Sequence, residues 1–159
     1  MIAQYEDDEL DPLLSAPRMY GLSQAHKHLP EMQVVCGLDS PPAFCPVVAP
    51  FYSGMEVTVP VFRRDLNCTP DEIKAIYRDY YKTGLVALCD EDDGGGFLSA
   101  AKLTGLDNML LTVSGNDERV LLVSRFDNLG KGASGAAIQN MNILLGVDEA
   151  AGLDTEILL

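Results

Sequence analysis

"NLGKGASGAAIQNMNILLG", residues 128–146, decides the fold. Gly130, Gly132 and Gly135 satisfy G-x-G-x-x-G literally. An apolar run, Val120 to Val123, precedes them, and Ala137, Ile138, Met141, Leu144 and Leu145 follow at helical spacing. A true dinucleotide fingerprint would make the chain a doubly wound α/β protein. That motif must open a βαβ unit, with a second strand and an acidic residue about 20 residues further on for the ribose. Asp148 and Glu149 lie near that distance, but "VDEAAGLDTEILL" (147–159) offers no second strand before the acid. The segment is therefore expected to be a tight glycine turn feeding a helix over residues 133–146. The free N–H groups at the start of that helix still suit an anion.

The preceding sequence agrees with a different fold class. Leu106 to Val113 and Val120 to Phe126 read as strands joined by the polar turn "SGNDE", a hairpin signal. Leu85 to Cys89 is a short strand, followed by "EDDGGG", expected to be a mobile loop. "TPDEIKAIYRDYYKTG" (69–84) is the clearest helix. Thr69 caps it, Pro70 takes the first helical position, Glu72 completes a capping box and Gly84 ends it. Ile73, Ile76, Tyr77 and Tyr80 form its apolar face, with Tyr77, Tyr80 and Tyr81 read as packing residues.

Met55 to Phe62 alternates apolar and polar residues, and Pro60 assigns that strand to a sheet edge or a bulge. Ala43 to Val48 and Met19 to Ser23 are further strand-like runs. Between them, Pro30 and Glu31 suit the first turn of a helix and Gly37 the position just past its end, with Val34 and Val35 facing the core. This order implies one α+β domain over 1–159. Its sheet is mixed and largely antiparallel, with helices on one face.

Composition removes several function classes. The chain has 159 residues, 47% of them hydrophobic, enough for one good core. No stretch is long enough to cross a bilayer and no signal-peptide pattern is present, so no membrane role and a cytoplasmic location are expected. A net charge of −13 is unsuited to nucleic acid, which needs clustered Lys and Arg. The acidity gathers in Glu6-Asp7-Asp8-Glu9, within an N-terminal arm over 1–18, and in Glu91-Asp92-Asp93, both read as solvated. Cys36, Cys45, Cys68 and Cys89 contain no C-x-x-C pair, which argues against a disulfide framework or a zinc knot. His26 and His28 would share one face of a strand and could hold a metal, but a third ligand at a recognisable spacing is missing; no metal is expected.

Two segments in this order, "AHKHLPEM" (25–32) and "DNLGKGASGAAIQNMNILLG" (127–146), about 100 residues apart, carry a resemblance. With "PVVAPFYSGMEVTVPVF" and "NDERVLLVSRFDNL" between them, the chain from Met1 to about Leu153 resembles the C-terminal half of N-acetyl-γ-glutamyl-phosphate reductase. The resemblance implies a semialdehyde-dehydrogenase dimerisation-domain fold. It also implies NADPH-dependent reduction of an acyl phosphate to N-acetylglutamate semialdehyde in arginine biosynthesis. A cysteine thiolate displaces phosphate to give a thioester, hydride reduces it, and the thiohemiacetal collapses to the aldehyde. His28 matches the family's acid/base. Lys27 and Glu31 match positions at the substrate, and Lys131 and Gly132 match a turn beside the nicotinamide end of NADP.

The departures are informative. The family nucleophile lies in a segment resembling P-G-C-[FY]-P-T, and the contexts "VVCGL", "AFCPV", "LNCTP" and "ALCDE" do not match it. Each cysteine is read instead as a small buried or half-exposed residue. The family's N-terminal dinucleotide fold is not matched either, and Ser53 stands where many relatives carry a basic residue. The chain is therefore expected to be the second domain of a longer enzyme, inactive alone, homo-oligomeric, with Met1 internal. Its final helix would pack on the cofactor domain. Without that domain, Ile138, Met141 and Leu145 would leave an apolar stripe, and the helix is expected to be disordered, swapped or buried in an oligomer. The rival readings are an aspartate-semialdehyde dehydrogenase-type enzyme, a stand-alone association module without catalysis, and a metal-binding domain using His26 and His28.

Overall fold

A computed structural model describes residues 2–5, 11–82 and 84–155 of the chain. The acidic stretch Glu6–Glu9 lies outside the described residues. The chain divides into two compact units, Met1–Phe51 and Tyr52–Leu159.

The first unit holds α1 (Ile2–Tyr5), a 3-10 turn at Pro12–Ser15, β1 (Arg18–Met19), α2 (Leu29–Cys36) and β2 (Val47–Val48). β1 and β2 pair antiparallel, Arg18 opposite Val48. Both strands are shorter than their apolar runs predict. Gly21 turns the chain at φ 64°, and Pro41, Pro42 and Pro46 remove ladder donors around β2. α2 follows its sequence signals: Pro30 and Glu31 lie in the first turn, and Gly37 in the left-handed conformation returns its N–H to Gln33 and Val34. Val34 and Val35 do not face a core, being 79% and 78% exposed. The buried side of α2 is set by Leu29. At 100° per residue Val34 and Val35 fall on the far side of the helix from it.

The second unit is a four-stranded sheet, order β3-β6-β5-β4, formed by β3 (Met55–Phe62), β4 (Val86–Leu88), β5 (Met109–Gly115) and β6 (Arg119–Phe126). β3–β6 and β6–β5 are antiparallel and β5–β4 is parallel, so the mixed, largely antiparallel sheet is as expected. β5 begins at Met109 rather than Leu106, because Leu103 to Leu106 form a hydrogen-bonded turn. Pro60 sits on the edge strand β3, opposite Leu121, where its missing N–H costs the ladder nothing.

α3 (Pro70–Tyr80) carries the complete capping box, with Thr69 N–H donating to Glu72 at 2.7 Å and Glu72 N–H donating to Thr69 Oγ1 at 3.3 Å. Its inner face is Ile73 and Tyr77, one turn apart, packed with Val113, Val120, Leu88 and Leu122 of the sheet. Ile76 and Tyr80, expected on that face, are 56% and 77% exposed. α3 lies over β4, β5 and β6, and the i, i+4 pair Ile73 and Tyr77 is what meets them. α3 ends at Tyr80, before Gly84.

The opposite face of β5 and β6 carries Leu110, Thr112, Val123 and Arg125, all buried. The "EDDGGG" segment is not loose. Asp92 accepts from the N–H groups of Gly94 and Gly96 at 2.7 and 2.8 Å. Asp93 accepts from Ser99 N–H and pairs with the buried Arg125 at 2.6 Å. A short π-helical turn, Gly130–Ser134, then leads into α4 (Gly135–Leu145). Among the described residues no helix is long and apolar enough to cross a membrane.

Candidate functional site

Three of the expected site residues fall in the first unit. His28 occupies the N-cap of α2, and its imidazole makes no capping bond. Its side chain accepts and donates no hydrogen bond among the described residues, and its main-chain carbonyl starts the helix by accepting from Met32 N–H at 2.9 Å. The ring is therefore exposed and uncommitted, the condition a proton-transfer group needs. His26 lies behind it, half-buried against Tyr20 and Phe44 at centroid distances of 5.8 and 5.1 Å. The His26 ring meets that of His28 edge-on at 4.8 Å, and His26 Nδ1 accepts the His28 N–H at 3.3 Å. The two histidines lie in a turn, not on a strand, so the geometry assumed for a metal pair is not the one found. Among the described residues no group of three His, Cys, Asp or Glu could hold a metal.

His28 and Glu31 share one shallow, mostly apolar groove with Met32, Val35 and Cys36. Lys27 is exposed and makes no ion pair among the described residues. Cys36 and Cys45 are exposed, and Cys68 and Cys89 are partly buried.

Lys131 and Gly132 fall in the second unit, and the geometry there explains the three glycines. A Cβ on Gly130 would lie 2.8 Å from the Leu106 carbonyl oxygen and 2.9 Å from Asp107 Oδ1. A Cβ on Gly135 would lie 2.1 Å from the same Asp107 oxygen, and one on Gly132 would lie 3.1 Å from the Phe126 ring. The protein's own carboxylate and ring thus occupy the side of each glycine that a side chain would need. The fingerprint spacing is a packing requirement, and the turn is no pyrophosphate cradle.

Sequence reasoning missed the residue that shapes this turn. Asp127 is 2% exposed. Its Oδ1 accepts from Leu129 and Gly130 N–H at 2.7 and 3.0 Å, and its Oδ2 accepts from Ser53 Oγ and Gly105 N–H at 2.7 and 2.6 Å. Burial works to raise its pKa, but the bonds from Gly105, Gly130, Ser53 and Leu129 outweigh it and hold the carboxyl at about 2. Ser53 is itself buried and fixed by Asp127, so in this chain position 53 is part of the scaffold of the turn. Gly54 N–H donates to Asn128 at 2.8 Å beside it. The signal available in the sequence was the Asp-Asn pair directly ahead of the glycines, a residue type that bonds nearby backbone N–H groups.

Lys131 is half-buried and its ammonium donates to Gln139. Burial pulls its pKa below the usual lysine value, opposed by the charges of Glu149 and Asp107. The inward face of α4 is small and polar: Gly135 and Asn142 are buried. Met141, Ile143, Leu144 and Leu145 are 51, 56, 87 and 67% exposed, while Ile138 is half-buried.

A family model described as "Semialdehyde dehydrogenase, dimerisation domain" matches residues 5–128. The chain is 44% identical to N-acetyl-γ-glutamyl-phosphate reductase of Brucella anthropi, over 92% of this chain and 50% of that protein. It is 43% identical to N-acetyl-γ-glutamyl-phosphate reductase 2 of a Nostoc species, over 85% of this chain and 45% of that protein. The Brucella ovis reductase is 40% identical over 92% of this chain and 50% of its own length. The chain spans about half the length of the curated relatives it matches.

Proposed function

Because this chain belongs to the semialdehyde dehydrogenase dimerisation-domain family, we propose that it is the C-terminal domain of an NADP-dependent N-acetyl-γ-glutamyl-phosphate reductase. Its relatives of that name match over half their length, and the remaining half would supply the nucleophilic cysteine and the dinucleotide fold. One observation carries the reading: His28 stands at the head of α2, its exposed imidazole making no hydrogen bond among the described residues, beside a groove it shares with Glu31.

NADPH, when bound, supplies the hydride. His28 takes the proton of the attacking thiol and later exchanges it with the substrate oxygen. Lys27, exposed two residues before the start of α2, offers a point charge to the substrate's phosphate or carboxylate, and Glu31 borders the His28 groove. The filled glycine turn does not fit a pyrophosphate. Lys131 and the exposed Gly132 fit instead as the flank of the nicotinamide end. The apolar outer face of α4 is proposed to pack on the cofactor half, and the domain to assemble as a homo-oligomer in the cytoplasm.

The test supplies the N-terminal half of the Brucella anthropi reductase in trans and follows NADPH oxidation with N-acetyl-γ-glutamyl phosphate. Activity that needs both halves and is lost in His28→Asn supports the reading. A stable complex with no turnover would replace it with a non-catalytic association module. Turnover only with aspartyl phosphate would move it to the aspartate-semialdehyde dehydrogenases.

A further inference from the structure

We propose that Gln139 and Glu149 are positioning residues that aim the Lys131 ammonium without neutralising it. The inference rests on the reading of Lys131 as a cation beside the cofactor.

Lys131 lies in the π-helical turn, Gln139 in the second turn of α4 and Glu149 beyond the end of that helix. The three form one chain of hydrogen bonds. Lys131 Nζ donates to Gln139 Oε1, and Gln139 Nε2 donates to Glu149 Oε2 at 2.9 Å. An ammonium only donates and a carboxylate only accepts, so the central amide has one orientation that serves both. The far end is anchored as well. Asn142, 5% exposed, donates through Nδ2 to the carbonyls of Glu149 and Ala151 at 3.1 and 2.9 Å. The segment carrying the carboxylate is thereby tied to α4.

The neutral spacer is the informative feature. A lysine left alone is a flexible stem, and holding it costs side-chain entropy. A carboxylate in direct contact would hold it but would also cancel its charge toward a ligand. The Gln139 amide fixes the ammonium through a dipole and leaves it positive. Burial works to lower the pKa of the half-buried ammonium, and the charges of Glu149, at one remove, and of Asp107 oppose it. The occupant this arrangement favours is an anionic or carbonyl-bearing group of the cofactor or substrate. Asp107 and Glu149 are the titratable groups acting on Lys131 from the elements around it.

The experiment is a pH titration of this chain labelled with 13C at lysine Cε, with the Lys131 resonance assigned by its loss in Lys131→Arg. Glu149→Gln is expected to shift the Lys131 titration midpoint downward. Gln139→Ala is expected to collapse the separation between its two Hε resonances. The exchange Gln139→Glu with Glu149→Gln keeps one carboxylate and the hydrogen-bond chain, and is expected to restore the separation. In the reductase reassembled with the Brucella anthropi half, Gln139→Ala is expected to raise the KM for NADPH about tenfold with kcat held within about twofold. Unchanged Lys131 resonances in both single variants would overturn the proposal. Disturbed resonances in Gln139→Ala, with KM for NADPH unmoved even in Lys131→Ala, would uphold the positioning and sink the cofactor role of Lys131.

Discussion

Ser53 and Asp127 stand 74 positions apart in the chain, and the Ser53 hydroxyl donates to the Asp127 carboxylate at 2.7 Å inside the second unit. The bond joins the entry of β3 to the exit of β6, and the same carboxylate nucleates the glycine turn through Leu129 and Gly130. Asp127→Ala removes all four bonds of a carboxylate that is 2% exposed and leaves the buried Ser53 hydroxyl without its acceptor, at a cost of about 3 kcal/mol. Ser53→Ala is expected to cost about 1 kcal/mol, and most of that cost should vanish in the Asp127→Ala background. Urea unfolding of the four proteins of this cycle checks it; additive losses would show that the two residues act separately.

The same carboxyl predicts an acid response. Its folded pKa is about 2 against an ordinary 3.8. The value is depressed, so the stability it brings is fully present above about pH 4 and is lost as the pH falls toward 2. The difference corresponds to about 2 kcal/mol. Asp127→Asn should flatten the stability profile between about pH 4 and pH 2 by that amount. A slope unchanged in the variant would assign the acid response to other carboxylates.

The glycine turn yields a test of what its spacing is for. A methyl group at position 135 would lie 2.1 Å from Asp107 Oδ1 and 3.1 Å from the Gly130 carbonyl carbon. Asp107 cannot swing away freely, because its Oδ2 accepts Asp154 N–H at 3.0 Å. Gly135→Ala is expected to destabilise this chain by about 2 kcal/mol, and Asp107→Ala in the same chain to recover part of it. Thermal melts without any nucleotide decide the matter. If Gly135→Ala melts like the parent but weakens NADPH in the reassembled enzyme, the glycine serves the ligand instead.

Local signals made much of this fold readable. The Thr69-Pro70-Glu72 box is a contact between residues three apart, and the β5–β6 hairpin is announced by the polar turn between its strands. The place of His28 just ahead of α2 was legible for the same reason, because Pro30, Glu31 and Gly37 mark the ends of that helix locally. What was not legible depends on which surface meets which. Helical spacing grouped Ile73 with Ile76, Tyr77 and Tyr80, but α3 turns only the first and third of these onto the sheet. Spacing also could not tell that α4 turns Asn142 inward and Leu144 outward. Ser53 and Arg125 read as ordinary loop or strand residues, because their partners lie tens of positions away, and the same distance hid the Ser53 half of the Asp127 bonding.

His28 separates chemistry from stability. Its imidazole is exposed and makes no hydrogen bond among the described residues, so His28→Asn should change folding by no more than about 0.5 kcal/mol. In the reassembled reductase the loss of a proton-transfer group should lower kcat by about 100-fold to 10,000-fold. Parallel melts and steady-state rates measure both. A large stability loss with little change in kcat would make His28 a structural residue.

The outer face of α4 is the surface on which the two-domain reading depends. Met141 and Leu144 are 51% and 87% exposed, whereas the buried residues of the helix are Gly135 and Asn142. A charge placed outside should leave the inner contacts intact. Met141→Glu with Leu144→Glu is therefore expected to keep the melting temperature of this chain within a few degrees. An apolar stripe that meets a partner behaves otherwise. Two carboxylates forced against an apolar surface lose hydration without gaining a counter-ion, so association with the Brucella anthropi cofactor half should weaken by about 100-fold or more. Sedimentation of the mixed halves reads the association, and the melt of the double variant alone reads the fold. If the double variant binds the cofactor half as well as the parent does, α4 does not contact it. If the variant alone loses an oligomer that the parent forms, the stripe belongs to contacts between copies of this chain.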